Sequence, residues 1–200
     1  DGALWLGDGT RAAARFVVGE CTREEAPAAI AALRAQGLQV HLSSGDAVEA
    51  VARCARRLDL TEAHGRQTPE AKLEYVRSLQ REGRVVAMVG DGLNDAPVLA
   101  GADVSFAIGD GAALAQRAAD LVLAAPSLLR VPAAIALARR ARAVIRQNLA
   151  WAIGYNLLAL PLAAAGLVTP WLAAIGMTLS SLAVTLNALR LARATQKVRA

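Results

Sequence analysis

Two aspartates four residues apart, Asp91 and Asp95, follow an apolar run in the string Val89-Gly90-Asp91-Gly92-Leu93-Asn94-Asp95-Ala96-Pro97. Val85 to Val89 reads as a strand, and Gly90-Asp91-Gly92 as its abrupt end. Asn94-Asp95-Ala96-Pro97 reads as a helix start with Pro97 in its first turn. Carboxylates at the C-terminal end of a strand, beside a helix N-terminus, suit magnesium and phosphate in an open α/β sheet. Two other stretches offer complementary groups. Ser44-Gly45-Asp46 supplies a hydroxyl and backbone N–H groups at a helix start, an anion-binding arrangement. Lys72 follows Thr68-Pro69, is one of two lysines in the chain, and can neutralise a phosphoryl group as a point charge. Magnesium on the aspartates would bridge phosphate oxygens and offset charge developing in a transfer step. Each piece has a plain alternative: a Gly-Asp-Gly turn is most often only a turn, and a lone helix lysine is most often solvated. The order and spacing of the three point to phosphate chemistry.

The elements that must carry these groups alternate strand and helix. Ala3 to Leu6 and Ala14 to Val18 flank Gly7-Asp8-Gly9 as a β-hairpin. Thr22 is placed to cap a helix running to about Gln36, with Gly37 as its stop. Leu38 to Leu42 is a short strand ending in Ser43-Ser44-Gly45-Asp46, and a helix follows to about Leu58. Pro69 opens another, to about Arg81. After the strand that ends at Val89 come Val104 to Ile108 and Leu121 to Ala124, each behind a helical segment. This alternation predicts βαβ units around a parallel sheet, an α/β fold of Rossmann type.

Charge divides the chain. Residues 1–120 hold all seventeen Asp and Glu and thirteen Lys and Arg, a net of −4; residues 121–200 hold nine basic residues and no acid, a net of +9, which together give +5. The basic pI therefore does not describe one folded basic face with interleaved aromatics, and a nucleic-acid-binding role is excluded. Gln147 to Leu189, about 43 positions, contains no charged residue. A bilayer crossing takes about 20 apolar residues, so two spans are predicted, Asn148 to Leu167 and Trp171 to Leu189, divided at Val168-Thr169-Pro170. Arg139, Arg140, Arg142 and Arg146 precede the first; Arg190, Arg193, Lys197 and Arg199 follow the second. The positive-inside rule places both ends in the cytoplasm. A long helix from Leu128 to Arg146 leads into the first span as a stalk. Cys21 and Cys54 form no C-x-x-C pair and read as reduced cytosolic thiols. No signal-peptide pattern is present, and Asp1 reads as the start of a fragment.

Polar groups inside the apolar block invite a second question. Tyr155-Asn156 lies in the first span and Met177-Thr178-Leu179-Ser180-Ser181 in the second. Met177 and Ser181, four apart, share a helix face. Pro161 removes the usual partner of the Leu157 carbonyl. A thioether is a soft ligand suited to Cu(I). The residue types alone leave two roles open, helix packing or metal ligation.

Ser44-Gly45-Asp46, then Thr68-Pro69-Glu70-Ala71-Lys72, then Val89 to Pro97, with two apolar spans behind them, resemble the haloacid-dehalogenase-type phosphorylation domain of P-type ATPases. The resemblance covers essentially the whole chain. It implies the tail of a nucleotide-binding domain at 1–19, a haloacid-dehalogenase-like phosphorylation domain at 20–126, a stalk helix at 127–147, two transmembrane helices at 148–189 and a cytoplasmic tail at 190–200. It implies ATP as phosphoryl donor and Mg2+ as cofactor. Asp91 would be the magnesium ligand, Asn94 and Asp95 would order the site, and Lys72 would hold the phosphoryl group. Ser44 would hydrogen-bond that group, with Gly45 and Asp46 shaping its loop. The family phosphorylates the Asp of Asp-Lys-Thr-Gly-Thr. No such string occurs here, so the chain is expected to be the C-terminal third of such a pump and to lack ATPase activity alone.

Tyr-Asn in one span and Met-x-x-Ser-Ser in the next resemble the Cu(I)-transporting subgroup. That implies Tyr155, Asn156, Met177 and Ser181 as ligands of transported Cu(I), in an integral protein of a bacterial inner membrane with a copper chaperone as partner. Ser-Gly-Asp in place of Thr-Gly-Asp resembles the branch that supplies copper during cytochrome oxidase assembly. Three alternatives compete. Zinc and cadmium pumps typically carry an Asp in the last span, which this chain lacks. A membrane-anchored phosphatase of the same fold needs its own nucleophile, and no Asp-x-Asp string occurs. A non-enzymatic membrane scaffold would not need Asp91.

Overall fold

The computed structural model describes residues 3–17, 22–90, 95–108, 117–123, 125 and 127–199, in two units, residues 1–129 and 130–200. In the first unit, β1 (Ala3–Gly7) and β2 (Ala12–Val17) form the expected antiparallel hairpin, with an irregularity between Leu6 and Gly7. Helix α1 (Ala26–Ala35) starts later than expected, with Glu25 rather than Thr22 at its N-cap. Pro27 sits in its first turn, where a missing N–H costs nothing. Gly37, at φ 77°, ends it as predicted.

β3 (His41–Ser43), α2 (Val48–Arg57), β4 (Glu62–His64), α3 (Pro69–Arg81), β5 (Ala87–Gly90), α4 (Ala96–Gly101), β6 (Val104–Ile108) and β7 (Leu121–Leu123) follow. All strand pairs after the hairpin are parallel, as predicted, but they form two ladders, β3–β4 and β5–β6–β7. β4 was not expected. Its three residues, Glu-Ala-His, carry no apolar alternation and so no strand signal. β5 begins at Ala87 instead of Val85, because Asp103 captures the residue before it: Val86 N donates to Asp103 Oδ2 at 2.8 Å, and Asp103 N donates to Val86 O at 3.1 Å. The best-buried side chains are Val98 and Leu99 of α4 with Ser105 and Phe106 of β6. Ser105 is satisfied there by Asp120, accepting its N–H at 3.0 Å and donating to Oδ2 at 2.9 Å. This core fixes the helix start next to β5.

Glu25 makes a second long-range tie. Its carboxylate accepts from Ser127 Oγ at 2.7 Å and Leu128 N at 2.6 Å. The Ser127 bond first, then the Leu128 bond, lowers the Glu25 pKa. A depressed carboxylate stabilises the fold above its unfolded pKa, and the contribution disappears as pH falls through the folded value. Glu25→Gln is therefore expected to lower the melting temperature at neutral pH and to leave it unchanged at pH values below the folded pKa. Thermal melts of wild type and variant across acidic pH check this.

The second unit is two long helices. α5 (Arg130–Ala164) runs uninterrupted through Pro161, so the expected stalk and first apolar segment are one helix. It stops at Gly166, at φ 72°. α6 (Pro170–Arg199) opens on Pro170 and passes the expected end at Leu189, through Ala, Leu, Arg and Gln, which favour helix. The two run antiparallel. Asn187 Nδ2 donates to Asn148 Oδ1 at 2.9 Å and Gln147 Oε1 at 3.2 Å, and Trp151 Nε1 donates to Ser180 Oγ at 3.1 Å. Further along, Tyr155 lies against Gly176, where an added Cβ would stand 2.7 Å from the tyrosine oxygen. Among the described residues one helix segment, Pro170–Leu191, is long and apolar enough to cross a membrane, at mean hydropathy 1.7. The helix carrying the expected first span, α5, ends at Ala164 and does not meet that measure; Asn148 and Asn156 lie in its apolar part.

Candidate functional site

Three pieces build the candidate site: the turn after β3, the turn after β4 with the start of α3, and the start of α4. After β3, the backbone of Ser44 is held on both sides: its N–H donates to His64 O at 2.9 Å, and its carbonyl accepts from Gln67 N at 2.9 Å. Arg66 N donates to Asp46 O at 2.7 Å. The turn behind β4 thus cradles the turn behind β3. It comes so close that a Cβ on Gly65 would stand 2.7 Å from Val48 Cα, which requires glycine there. Within the loop, Ser44 Oγ donates to Asp46 Oδ2 at 2.7 Å and accepts from Asp46 N at 3.2 Å. The expected Ser44-Gly45-Asp46 anion loop is a closed turn with its hydroxyl oriented by Asp46.

Gln67 leads directly into the second piece. Thr68 Oγ1 accepts from Ala71 N at 3.2 Å and caps α3, with Pro69 in the first turn. Lys72 lies one turn in, its N–H donating to Thr68 O at 2.9 Å. Its ammonium crosses to the third piece and donates to Asp95 Oδ1 at 2.8 Å. The two side chains are 14% and 15% exposed, so this is a largely desolvated ion pair and not a solvated lysine. Asp95 stands at the N-cap of α4 but makes no capping bond; its carboxylate serves Lys72. Asp91 and Asn94, expected as magnesium ligand and site residue, lie outside the described residues.

Gly90, the last residue of β5, faces Asp95. A Cβ there would lie 3.0 Å from Asp95 Cβ and 3.1 Å from Oδ2. Gly90→Ala is expected to push Asp95 from Lys72 and destabilise the fold by about 1–3 kcal/mol, the usual cost of overpacking. Denaturant unfolding at fixed pH measures it.

Sequence reasoning left residues 59–67 without an element and so missed the support beneath Ser44. Tyr75 of α3 packs on His64, with ring centroids 4.4 Å apart, and its Oη is 2.7 Å from His41 Nδ1. Burial depresses the His41 pKa, more than neighbouring Glu62 raises it. The two histidines of the chain thus brace the strands that deliver Ser44. The available signal was Gly65, a glycine between two helical patterns.

In the helical unit the four residues expected around Cu(I) divide between faces. Tyr155 points into the seam at Gly176. Asn156 is exposed and donates to Ala152 O of its own helix at 3.0 Å. Met177 is 67% exposed, and Ser181 is exposed on the same face of α6. Of the four, Tyr155 lies in the seam, while Asn156, Met177 and Ser181 are exposed. Among the described residues no group of three or more His, Cys, Asp or Glu could hold a metal.

The haloacid dehalogenase-like hydrolase family matches residues 3–103. Nitrogen fixation protein FixI of Rhizobium leguminosarum bv. viciae is 49% identical over 178 residues, 89% of this chain and 23% of that protein. A copper-exporting P-type ATPase of Mycobacterium tuberculosis is 43% identical over 176 residues, 88% of this chain and 23% of its own length. Among solved structures, a zinc-transporting PIB-type ATPase in its E2.Pi state matches with a TM-score of 0.80 at 37% identity, covering 86% of this chain and 28% of the other. The chain thus spans about a quarter of the length of these relatives.

Proposed function

The chain belongs to the haloacid dehalogenase-like hydrolase family, as part of a heavy-metal P-type ATPase, and from that premise we propose that its longer protein exports a soft metal cation, Cu(I), at the expense of ATP. The observation that carries the phosphoryl half is the desolvated Lys72–Asp95 pair beside the Ser44 turn. An ammonium held by one carboxylate oxygen keeps further donors for phosphoryl oxygens, and Ser44 presents a hydroxyl already oriented by Asp46. Among the described residues β3 and β5 each keep an edge with no paired strand, to which a strand bearing the phosphorylated aspartate, from elsewhere in the longer protein, would add.

Magnesium suits this donor set. Gly90 leaves Asp95 Oδ2 uncrowded, and carboxylate oxygens are the ligands the ion takes. Asp91 would hold it, Asn94 would order the neighbouring turn, and the ion would supply charge neutralisation at the transferring phosphoryl group. Lys72 would hold that group, Asp95 holds Lys72, and the Ser44 hydroxyl would turn its one hydrogen from Asp46 Oδ2 to a phosphoryl oxygen.

The metal half rests on the likeness to Cu(I) pumps and on the outward face that carries Met177 and Ser181. No acid follows Asp120, which leaves thioether, hydroxyl, phenol and amide as the polar groups of the apolar block, a set that suits Cu(I) better than a harder ion. Tyr155, Asn156, Met177 and Ser181 would join ligands from spans outside this chain. Both helices would cross a bacterial inner membrane with their charged ends in the cytoplasm, and a copper chaperone would deliver the ion. A zinc pump is the second reading, on the likeness to the zinc-transporting structure; stimulation by Zn2+ and not Cu(I) would select it.

Met177→Leu in the longer protein tests the metal half. Leu and Met are near in volume, so folding and phosphorylation from inorganic phosphate should persist. Cu(I) affinity should fall by at least about tenfold, a loss that even outer-shell partners of a metal can cause. Unchanged Cu(I) binding under anaerobic conditions would return Met177 to lipid or helix packing.

A further inference from the structure

We propose that the charged end of the α5–α6 hairpin binds anionic phospholipid headgroups, with Arg142, Arg146 and Arg190 as the phosphate-holding cations. This rests on the membrane-spanning reading and adds the lipid class that the hairpin selects. Three observations carry it.

The first is depth. Arg146 and Arg142 precede Gln147, where the uncharged run begins, by one and five residues. At a rise of about 1.5 Å per residue that places them about 1.5 Å and about 7.5 Å outside it. Arg190 follows Leu189 directly. The headgroup layer on each side of the hydrocarbon is about 5–7.5 Å deep, so Arg146 lies within it and Arg142 at its outer limit. The antiparallel pairing of Asn187 with Asn148 brings the charged margins of the two apolar stretches to the same level. All three arginines are exposed there.

The second is orientation. Arg190 donates to Asn187 Oδ1 at 3.3 Å, while the amide nitrogen of Asn187 is pinned to Asn148 and Gln147 across the seam. One guanidinium is thus anchored at the rim of the apolar block with N–H groups to spare. Arg142 and Arg146, four apart, share a face of α5.

The third is composition. From residue 121 onward there is no acid to pair with these cations, and they are arginines, as are most basic residues of the chain. The guanidinium fork matches a phosphate bidentately, and a phosphodiester headgroup is the phosphate found at this depth.

The test uses the 200-residue chain reconstituted into phosphatidylcholine vesicles with and without phosphatidylglycerol. Carbonate extraction reads insertion, and spin-labelled phosphatidylglycerol against spin-labelled phosphatidylcholine reads lipid selectivity. The inserted wild-type chain is expected to prefer phosphatidylglycerol by about fivefold or more, weakening as salt rises. The preference should fall to near unity in Arg146→Gln/Arg190→Gln, while Arg146→Lys/Arg190→Lys keeps part of it. An inserted wild-type chain with no preference, or a glutamine variant that keeps it, overturns the proposal. Recovery of the chain in the carbonate supernatant overturns the membrane reading itself, and this proposal with it.

Discussion

Asp91→Asn in the longer protein is expected to lower phosphoenzyme formation from ATP by at least about a thousandfold, with the fold intact. Asp91 directly follows Gly90, the last residue of β5, and precedes by four residues the Asp95 that holds Lys72. Its proposed task is to hold magnesium, and asparagine keeps the shape while removing the charge. Without the ion, the charge on the transferring phosphoryl group is met only by Lys72 and Ser44. A single preorganised electrostatic contact is worth about a hundred- to a thousandfold in rate. A divalent ion that bridges phosphate oxygens is worth more. Quenched-flow measurement of phosphoenzyme at saturating magnesium reads the loss, and circular dichroism with a thermal melt reads the fold. Wild-type rates would remove Asp91 from the site and favour the scaffold reading.

Lys72→Met is expected to slow phosphoryl transfer about a hundred- to a thousandfold, while Lys197→Ala, far along α6, changes it by less than about twofold. Stability separates the role of the charge from that of the pair. Removing Lys72 leaves the Asp95 carboxylate, only 15% exposed, without its cation. That should destabilise the fold by about 1–3 kcal/mol, the cost of an orphaned, poorly solvated group. Adding Asp95→Asn to Lys72→Met removes the orphan and should return most of the stability, because replacing both partners is far milder than breaking the pair. It should not return the rate. A double variant that recovers both would make Lys72 a structural partner of Asp95 and nothing more.

The parts of the proposed phosphoryl site were legible in the sequence because they are local. Thr68-Pro69 must open a helix, so Lys72 has to lie one turn in; Asp95-Ala96-Pro97 likewise opens the next. The pairing of Lys72 with Asp95 was not legible. It depends on α3 and α4 packing so closely that a Cβ on Gly101 would clash with Leu73, a tertiary fact that no local pattern encodes. β4 escaped for the opposite reason: its residues lack alternation, and only its pairing to β3 makes it a strand. In the apolar block, the absence of charge announced long helices. Helix periodicity put Met177 and Ser181 on one face, as α6 shows. Which face α5 would cover depended on Gly176 and Ser180 admitting Tyr155 and Trp151, small residues that permit close approach without specifying a partner.

We propose that this site serves an aspartyl-phosphate intermediate whose formation is coupled to a soft metal. Phosphorylation of the longer protein by γ-labelled ATP in the presence and absence of Cu(I), followed by acid quench and hydroxylamine, tests this. An acid-stable, hydroxylamine-labile phosphoprotein whose formation requires Cu(I) is expected. A protein that takes up no label, or whose label resists hydroxylamine or forms equally well without the metal, would contradict it.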